Sequence, residues 1–451
     1  YVAHEMGHQF SGNHTFNGSG VNCSGGNRNA GTAYEPGSGV SIQAYAGICG
    51  NDDLQPNSED YFHRVSLNEI LAFTTTGGGN GCAVQTATGN VVPTVSVTAP
   101  AGAVTIPRQT PFALTAAGVP GDGDTLTYLW EQFDLGAANA EGVLADAGTG
   151  PLFRSFVPTT NPTRIFPSLR YILNNANLVP QTAPVEGTTS PSWFAGELLP
   201  TTTRNLNFRV TTRDNRAGGG GTNEASVTVA VTNTAGPFAI TAPDAPGFSV
   251  AAGGNVNVTW NVANTTAAPV NTANVRITLS LDGGYTWPLE LAANTANDGS
   301  ETVSIPANTP ATTQARIRIE AINNIFFDIN GANFSITGAN TAPTITVGTP
   351  ISTRQGSPTA SAVVATVIDT QDAAGSLGVA ISGAPPELAV SVSNSGGNVT
   401  LNATAACTLV APTTGNKTYP LLLTVTDSQG ATSSAAVNVL VGSNQAPEFG
   451  S

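Results

Sequence analysis

The chain has 451 residues and a formal net charge of −14, with only 10 % charged residues and Gly 50 and Pro 30. That length exceeds what a single hydrophobic core serves and implies several domains. The acidity, with Lys417 the only lysine, argues against a nucleic-acid surface, and no apolar run approaches the roughly 18 residues of a transmembrane helix.

The first element in chain order is His4-Glu5-Met6-Gly7-His8-Gln9-Phe10-Ser11-Gly12-Asn13-His14. Two histidines four apart on a helix share one face, so their imidazoles can converge on one ion. His14 completes a three-nitrogen site only if the helix stops and the chain turns back, and Gly12 is the residue type that permits such a turn. Glu5, beside the first ligand, is placed to take a proton from an attacking water. The pattern implies zinc-dependent hydrolysis of peptide bonds. The ordinary alternative is a polar helix end with solvated histidines. It fits poorly with three of only four histidines falling in this window.

These residues resemble the metzincin signature HExxHxxGxxH and, within that clan, the reprolysin-like (adamalysin-like) secreted bacterial metallopeptidases. The resemblance implies zinc ligation by His4, His8 and His14, a general base and acid role for Glu5, and a protein or peptide substrate. The family glycine falls at Ser11, one place before Gly12. The stretch Glu35 to Gly47 corresponds to the family's methionine turn beneath the metal, with Gln43 in the methionine position and Tyr45 two residues on. Tyr45 is accordingly a candidate for stabilising an oxyanion. A core tyrosine with its hydroxyl satisfied locally reads equally well.

By the same resemblance, the chain opens inside the zinc helix and holds the C-terminal half of the catalytic domain. Such a piece is expected to bind zinc weakly and hydrolyse little without its upstream half, where any targeting segment would also lie. A Cys23–Cys49 disulfide is expected to pin the loop after His14 to the segment after Gln43. Cys82 would then pair upstream, and Cys407 stands alone. Asn51 to Gln55 and Ser58 to His63 read as loops, with His63 structural or part of a cleft wall. Ser66-Leu67-Asn68-Glu69 reads as a capping box opening a helix through Phe73, ended by Gly77-Gly78-Gly79.

From about Val91, period-two runs between Gly, Pro and Asn clusters predict strands. They are Thr94–Val97, Leu126–Trp130, Leu206–Val210 and Ala225–Val231. Pro151 to Trp193 is less regular and reads as an insertion loop. A second module starts near Phe238, with strands at Val256–Trp260 and Val275–Ser280. Asp282-Gly283-Gly284 is expected to turn the latter into Tyr285-Thr286-Trp287. A third module starts at Asn340, with strands at Ala362–Ile368 and Leu421–Thr426. These modules resemble immunoglobulin-like, PKD-like and cadherin-like bacterial repeats.

The fold class is therefore mostly β: a partial α/β zincin subdomain (residues 1–90) followed by three antiparallel β-sandwich modules (91–236, 237–339, 340–444) and a linker or tag (445–451). Asp122/Asp124, Asp369/Asp372 and Asp427 are candidate Ca2+ ligands, though aspartate is also an ordinary turn residue. Trp130, Trp260 and Trp287 read either as a sugar platform or, more commonly for sandwiches, as core. The expected setting is extracellular, with the modules contacting the cell surface or an extracellular polymer. A second reading makes the chain a non-catalytic surface or adhesion protein with a degenerate protease segment. A third keeps the metal logic on another substrate class, such as an amide.

Overall fold

A computed structural model describes residues 1–81, 84–99, 102–175, 177–410 and 415–444. The expectations for Cys82 and for the 445–451 tail lie outside them. The chain divides into two compact units: Tyr1–Val250 with Asn255–Ile305 and Thr312–Ile336, and Thr337–Ser451 with two short pieces, Ala251–Gly254 and Pro306–Ala311.

Within the first unit, residues 1–81 carry helix α1 (Val2–Gln9), helix α2 (Arg64–Thr75), short 3-10 turns and one bridging pair, Phe16 with Glu35. The expected capping box does not form. His63 precedes α2 and its Nδ1 accepts from the Val65 N–H at 3.2 Å. The Arg64 N–H, free of any helical partner at that end, points to both oxygens of buried Glu131 at 3.2 Å. A carboxylate there also meets the positive end of the helix dipole. Glu69, spent elsewhere, holds the Asn13 N–H at 2.9 Å.

The next part of this unit is a sandwich. One sheet orders Thr94–Ala99, Phe112–Val119 and Thr163–Phe166; the other orders Val104–Pro107, Thr222–Thr232, Arg204–Arg213 and Thr127–Gln132. Phe112, Phe153, Phe166 and Phe208 fill the space between, with the Phe112 and Phe166 rings stacked at 4.9 Å. The segment from Pro151 to Trp193 is not a solvent-facing insertion. It supplies Phe153 and Phe166 to that core, forms helix α3 (Leu169–Asn175) and a two-stranded hairpin, and its neighbour Phe194 donates an N–H to the Asp53 carbonyl at 2.8 Å.

A second sandwich follows, with Ala239–Ala242, Asn255–Asn261 and Ser300–Ser304 facing a larger sheet that includes Thr312–Ala321, Asn274–Ser280 and Leu289–Ala296. Val256, Val258 and Trp260 point inward while Asn255, Asn257 and Asn261 stay exposed, as period-two patterning requires. Tyr285-Thr286-Trp287 forms no strand, because Asn274–Ser280 pairs with Leu289–Ala296 instead. Asp282 organises the longer connection by accepting the N–H groups of Tyr285 and Thr286. Trp130 and Trp260 are buried and Trp287 lies under Arg318, so the tryptophans form core and packing contacts and no common platform.

The second unit pairs a sheet of Thr344–Val347, Ala360–Ile368, Asn398–Ala405 and Leu388–Ser395 with one of Ile351–Arg354, Thr432–Gly442, Asn416–Thr426 and Gly378–Ser382. Val364, Leu401, Leu423 and Val439 are among its buried residues. The protein is mostly β, and the sandwiches are not purely antiparallel. Val104–Pro107 runs parallel to Thr222–Thr232, and Ile351–Arg354 runs parallel to Thr432–Gly442.

Candidate metal centre

Helix α1 presents His4 and His8 one turn apart and then closes with a Schellman arrangement. The Gly12 N–H reaches the Gly7 carbonyl at 2.8 Å and the Ser11 N–H reaches the His8 carbonyl at 3.0 Å. The left-handed residue this closure needs is Ser11, with φ of 72°. The expectation that Gly12 supplies the positive φ is therefore corrected. Gly12 relieves crowding, since a Cβ there would sit 3.1 Å from the Gly7 carbonyl oxygen. The turn sends the chain back so that His14 meets the other two. A left-handed non-glycine residue costs about 1–2 kcal/mol, part of which glycine returns through unfolded-state entropy. Ser11→Gly is therefore expected to raise unfolding free energy by roughly 0.5–1 kcal/mol, measured by urea denaturation.

Each imidazole is oriented by a backbone carbonyl. His4 Nδ1 lies 2.7 Å from the Ile42 oxygen, His8 Nδ1 2.7 Å from that of Gly12, and His14 Nδ1 2.6 Å from that of Asn27. A carbonyl only accepts, so each Nδ1 carries the proton and each Nε2 of the neutral ring bears a lone pair. Those three Nε2 atoms face one another, with His8 Nε2 3.1 Å from both its counterparts. Burial pushes the pKa of His4 and of His14 below the ordinary value, which favours the neutral ring. Three converging acceptors without a donor repel unless a cation lies between them. A tetrahedral zinc with bonds of about 2.0–2.1 Å sets its nitrogens about 3.3 Å apart. The residues present fit that ion. Among the described residues, these three are the one cluster of three or more His, Cys, Asp or Glu side chains placed to share a metal.

The floor beneath is the stretch from Glu35 to Gly47. Gln43 is fully buried, its amide nitrogen 3.3 Å from the Gly12 oxygen, while its Oε1 has no partner. It fits because Gly7 lacks a Cβ, which would fall 2.3 Å from that oxygen. The Tyr45 ring centroid lies 4.5 Å from that of His14 and 5.6 Å from that of His4. Burial raises the Tyr45 pKa, with the Glu5 charge adding to it, so the hydroxyl stays protonated and able to donate. Glu5, His4 and Tyr45 line a cleft of about 780 Å³ together with Asn27, Ile48 and Glu59.

The Cys23–Cys49 disulfide forms and, with Phe16 and Tyr45, makes a small cluster beside the site. It pins the loop that delivers the Asn27 carbonyl to His14. His63 stands apart from the imidazole group, buried and flat against Phe133 and Tyr34. The acidic turns serve local structure: Asp122 pairs with Arg216, Asp369 accepts the N–H groups of Gln371 and Asp372, and Asp427 those of Gln429 and Ala431. Sequence reasoning missed the three carbonyls, because a backbone acceptor leaves no mark on residue type. It also missed Glu35, which is buried among five donors.

The class these features define is a metallopeptidase-like segment heading a series of β-sandwich modules. The family model described as Metallo-peptidase family M12B Reprolysin-like matches residues 1–68. No curated protein matches the chain. Among solved structures, the chain is similar to a four-domain segment of Drosophila N-cadherin, with 11 % identity, TM-score 0.26 and coverage of 78 % of this chain and 76 % of that one. It is likewise similar to a three-immunoglobulin-domain segment of titin, with 8 % identity, TM-score 0.25 and coverage of 79 % and 100 %. A third is the human desmocollin-1 ectodomain, with 9 % identity, TM-score 0.21 and coverage of 78 % and 62 %.

Proposed function

We propose that the chain is part of a secreted zinc endopeptidase in which His4, His8 and His14 hold the metal, Glu5 is the general base and acid, and Tyr45 supports the oxyanion. The observation that carries this reading is the trio of Nε2 lone pairs, each fixed inward by a carbonyl on the far side of its ring. The metallopeptidase family match over the same residues supports it. When bound, zinc would acidify a water and polarise the scissile carbonyl. Glu5, exposed on α1 and lining the cleft, takes a proton from the attacking water and returns one to the leaving amine. The Tyr45 hydroxyl, kept protonated, donates toward the developing negative charge.

The disulfide and the acidic, lysine-poor composition support an extracellular setting. In this reading residues 1–90 belong to the peptidase and the modules 91–236, 237–339 and 340–444 are its accessory domains, facing a polymer or the cell surface. The alternative, an adhesion protein with a degenerate protease segment, draws on the partnerless Oε1 of buried Gln43. Zinc binding separates the two. In titration against a chelating dye the chain is expected to bind one zinc and the His4→Ala/His8→Ala variant none; equal binding by both would overturn the proposal.

A further inference from the structure

The turn under the imidazoles is held from outside the metallopeptidase-like segment. Glu35, 2 % exposed, accepts the Val40 N–H at 2.9 Å, the Ser41 N–H at 3.2 Å and the Ser155 hydroxyl at 3.1 Å, and its other oxygen takes the hydroxyls of Thr15 and Ser41. Ser155 belongs to the first sandwich, 120 residues further along the chain. Its single O–H goes to the carboxylate, so the Tyr61 hydroxyl, 2.6 Å away, must donate to Ser155. The same Tyr61 accepts the Ile42 N–H on its backbone oxygen at 2.9 Å.

Both branches end at metal-facing rings. Ile42, tied to Tyr61 through its N–H, aims its carbonyl at His4 Nδ1. Thr15, tied to Glu35 through its hydroxyl, follows His14 directly and donates its N–H to the Gln43 carbonyl at 3.2 Å. A neighbouring strut runs in parallel: Arg154 reaches the Leu54 carbonyl at 3.4 Å and the Gln55 side chain. The Ser155 hydroxyl is buried and its two partners use it fully, so no water is needed to satisfy it.

We propose that Ser155 is a positioning residue for the metal site, so that the first sandwich sets the orientation of His4 and His14 and is a working part of the centre described above. The inference rests on the zinc reading. It goes beyond that reading in assigning the site a determinant far outside residues 1–68. Partners hydrogen-bonded directly to a metal ligand commonly change affinity 10–100-fold when lost, and Ser155, acting through Tyr61 and Glu35, lies further out and is expected to have a smaller effect.

The test uses the full chain and zinc alone, with a competing chelating dye for affinity and the visible spectrum of the Co2+-substituted protein for ligand geometry. Ser155→Ala is expected to weaken zinc by about threefold to tenfold, at or below the low end for direct partners of a ligand, and to alter the cobalt bands. Tyr61→Phe should shift both readouts in the same direction by a smaller factor, and it carries the test should Ser155→Ala fold poorly. Asp146→Ala, which breaks a network lying wholly inside the sandwich, should lower stability and leave zinc affinity at the parental value. Unchanged affinity and spectrum in both Ser155→Ala and Tyr61→Phe would overturn the inference, as would an equal loss in Asp146→Ala. A parental chain that binds no zinc would instead fail the functional reading itself, and the inference with it.

Discussion

Replacing Glu35 by alanine is expected to cost about 4 kcal/mol of unfolding free energy, more than any other single change near the site. The carboxylate is buried and collects two backbone N–H groups and three hydroxyls. Removing it leaves those donors without partners, at about 1–3 kcal/mol for each buried group that finds no other acceptor, and the two backbone N–H groups cannot turn away as the hydroxyls can. Glu35→Gln should cost only about half as much. Its oxygen can face the Val40 and Ser41 N–H groups, while its amide meets the Thr15 and Ser41 hydroxyls, which can rotate to accept. Urea denaturation of both variants checks this. Equal losses in the two would show that the charge, and not the count of orphaned donors, dominates.

The second large effect is chemical. Glu5→Gln is expected to lower the chain's low residual peptide hydrolysis by about 10²–10⁴-fold, the usual contribution of a positioned proton acceptor, while zinc binding stays at the parental level. The separation follows from placement: Glu5 is exposed on the cleft side of α1 and takes no part in the three Nδ1 contacts that orient the ligands. Turnover of a quenched fluorescent peptide, measured beside zinc binding, tests it. A Glu5→Gln protein that keeps the parental rate would remove Glu5 from the mechanism.

Much of the fold is legible in residue pattern. The alternation in Val256-Asn257-Val258-Thr259-Trp260 predicts the strand found there, and the spacing of His4, His8 and His14 predicts their convergence. What escaped was set by tertiary context. Ser66 and Glu69 have the right types for a capping box, but the helix starts earlier, at Arg64, where Glu131 from the sandwich and the ring of His63 take the N–H groups of Arg64 and Val65, so Ser66 lies inside the first turn. Ser11 takes the left-handed turn although glycine stands next to it, because the hydrogen bonds of the helix ending fix which position must bend. Pro151 to Trp193 lacks sustained periodicity because it gives the sheet only one short strand, Thr163–Phe166, and otherwise plugs the core and braces a neighbouring segment. Ser155 gave no signal at all, since its importance comes from what lies beside it.

X-ray absorption at the zinc edge of the purified chain probes the arrangement most directly. Three nitrogen neighbours at about 2.0–2.1 Å with imidazole outer-shell scattering, lost in His8→Ala, are the expected result. A zinc shell made of oxygen or sulfur, or one untouched by His8→Ala, would contradict the account.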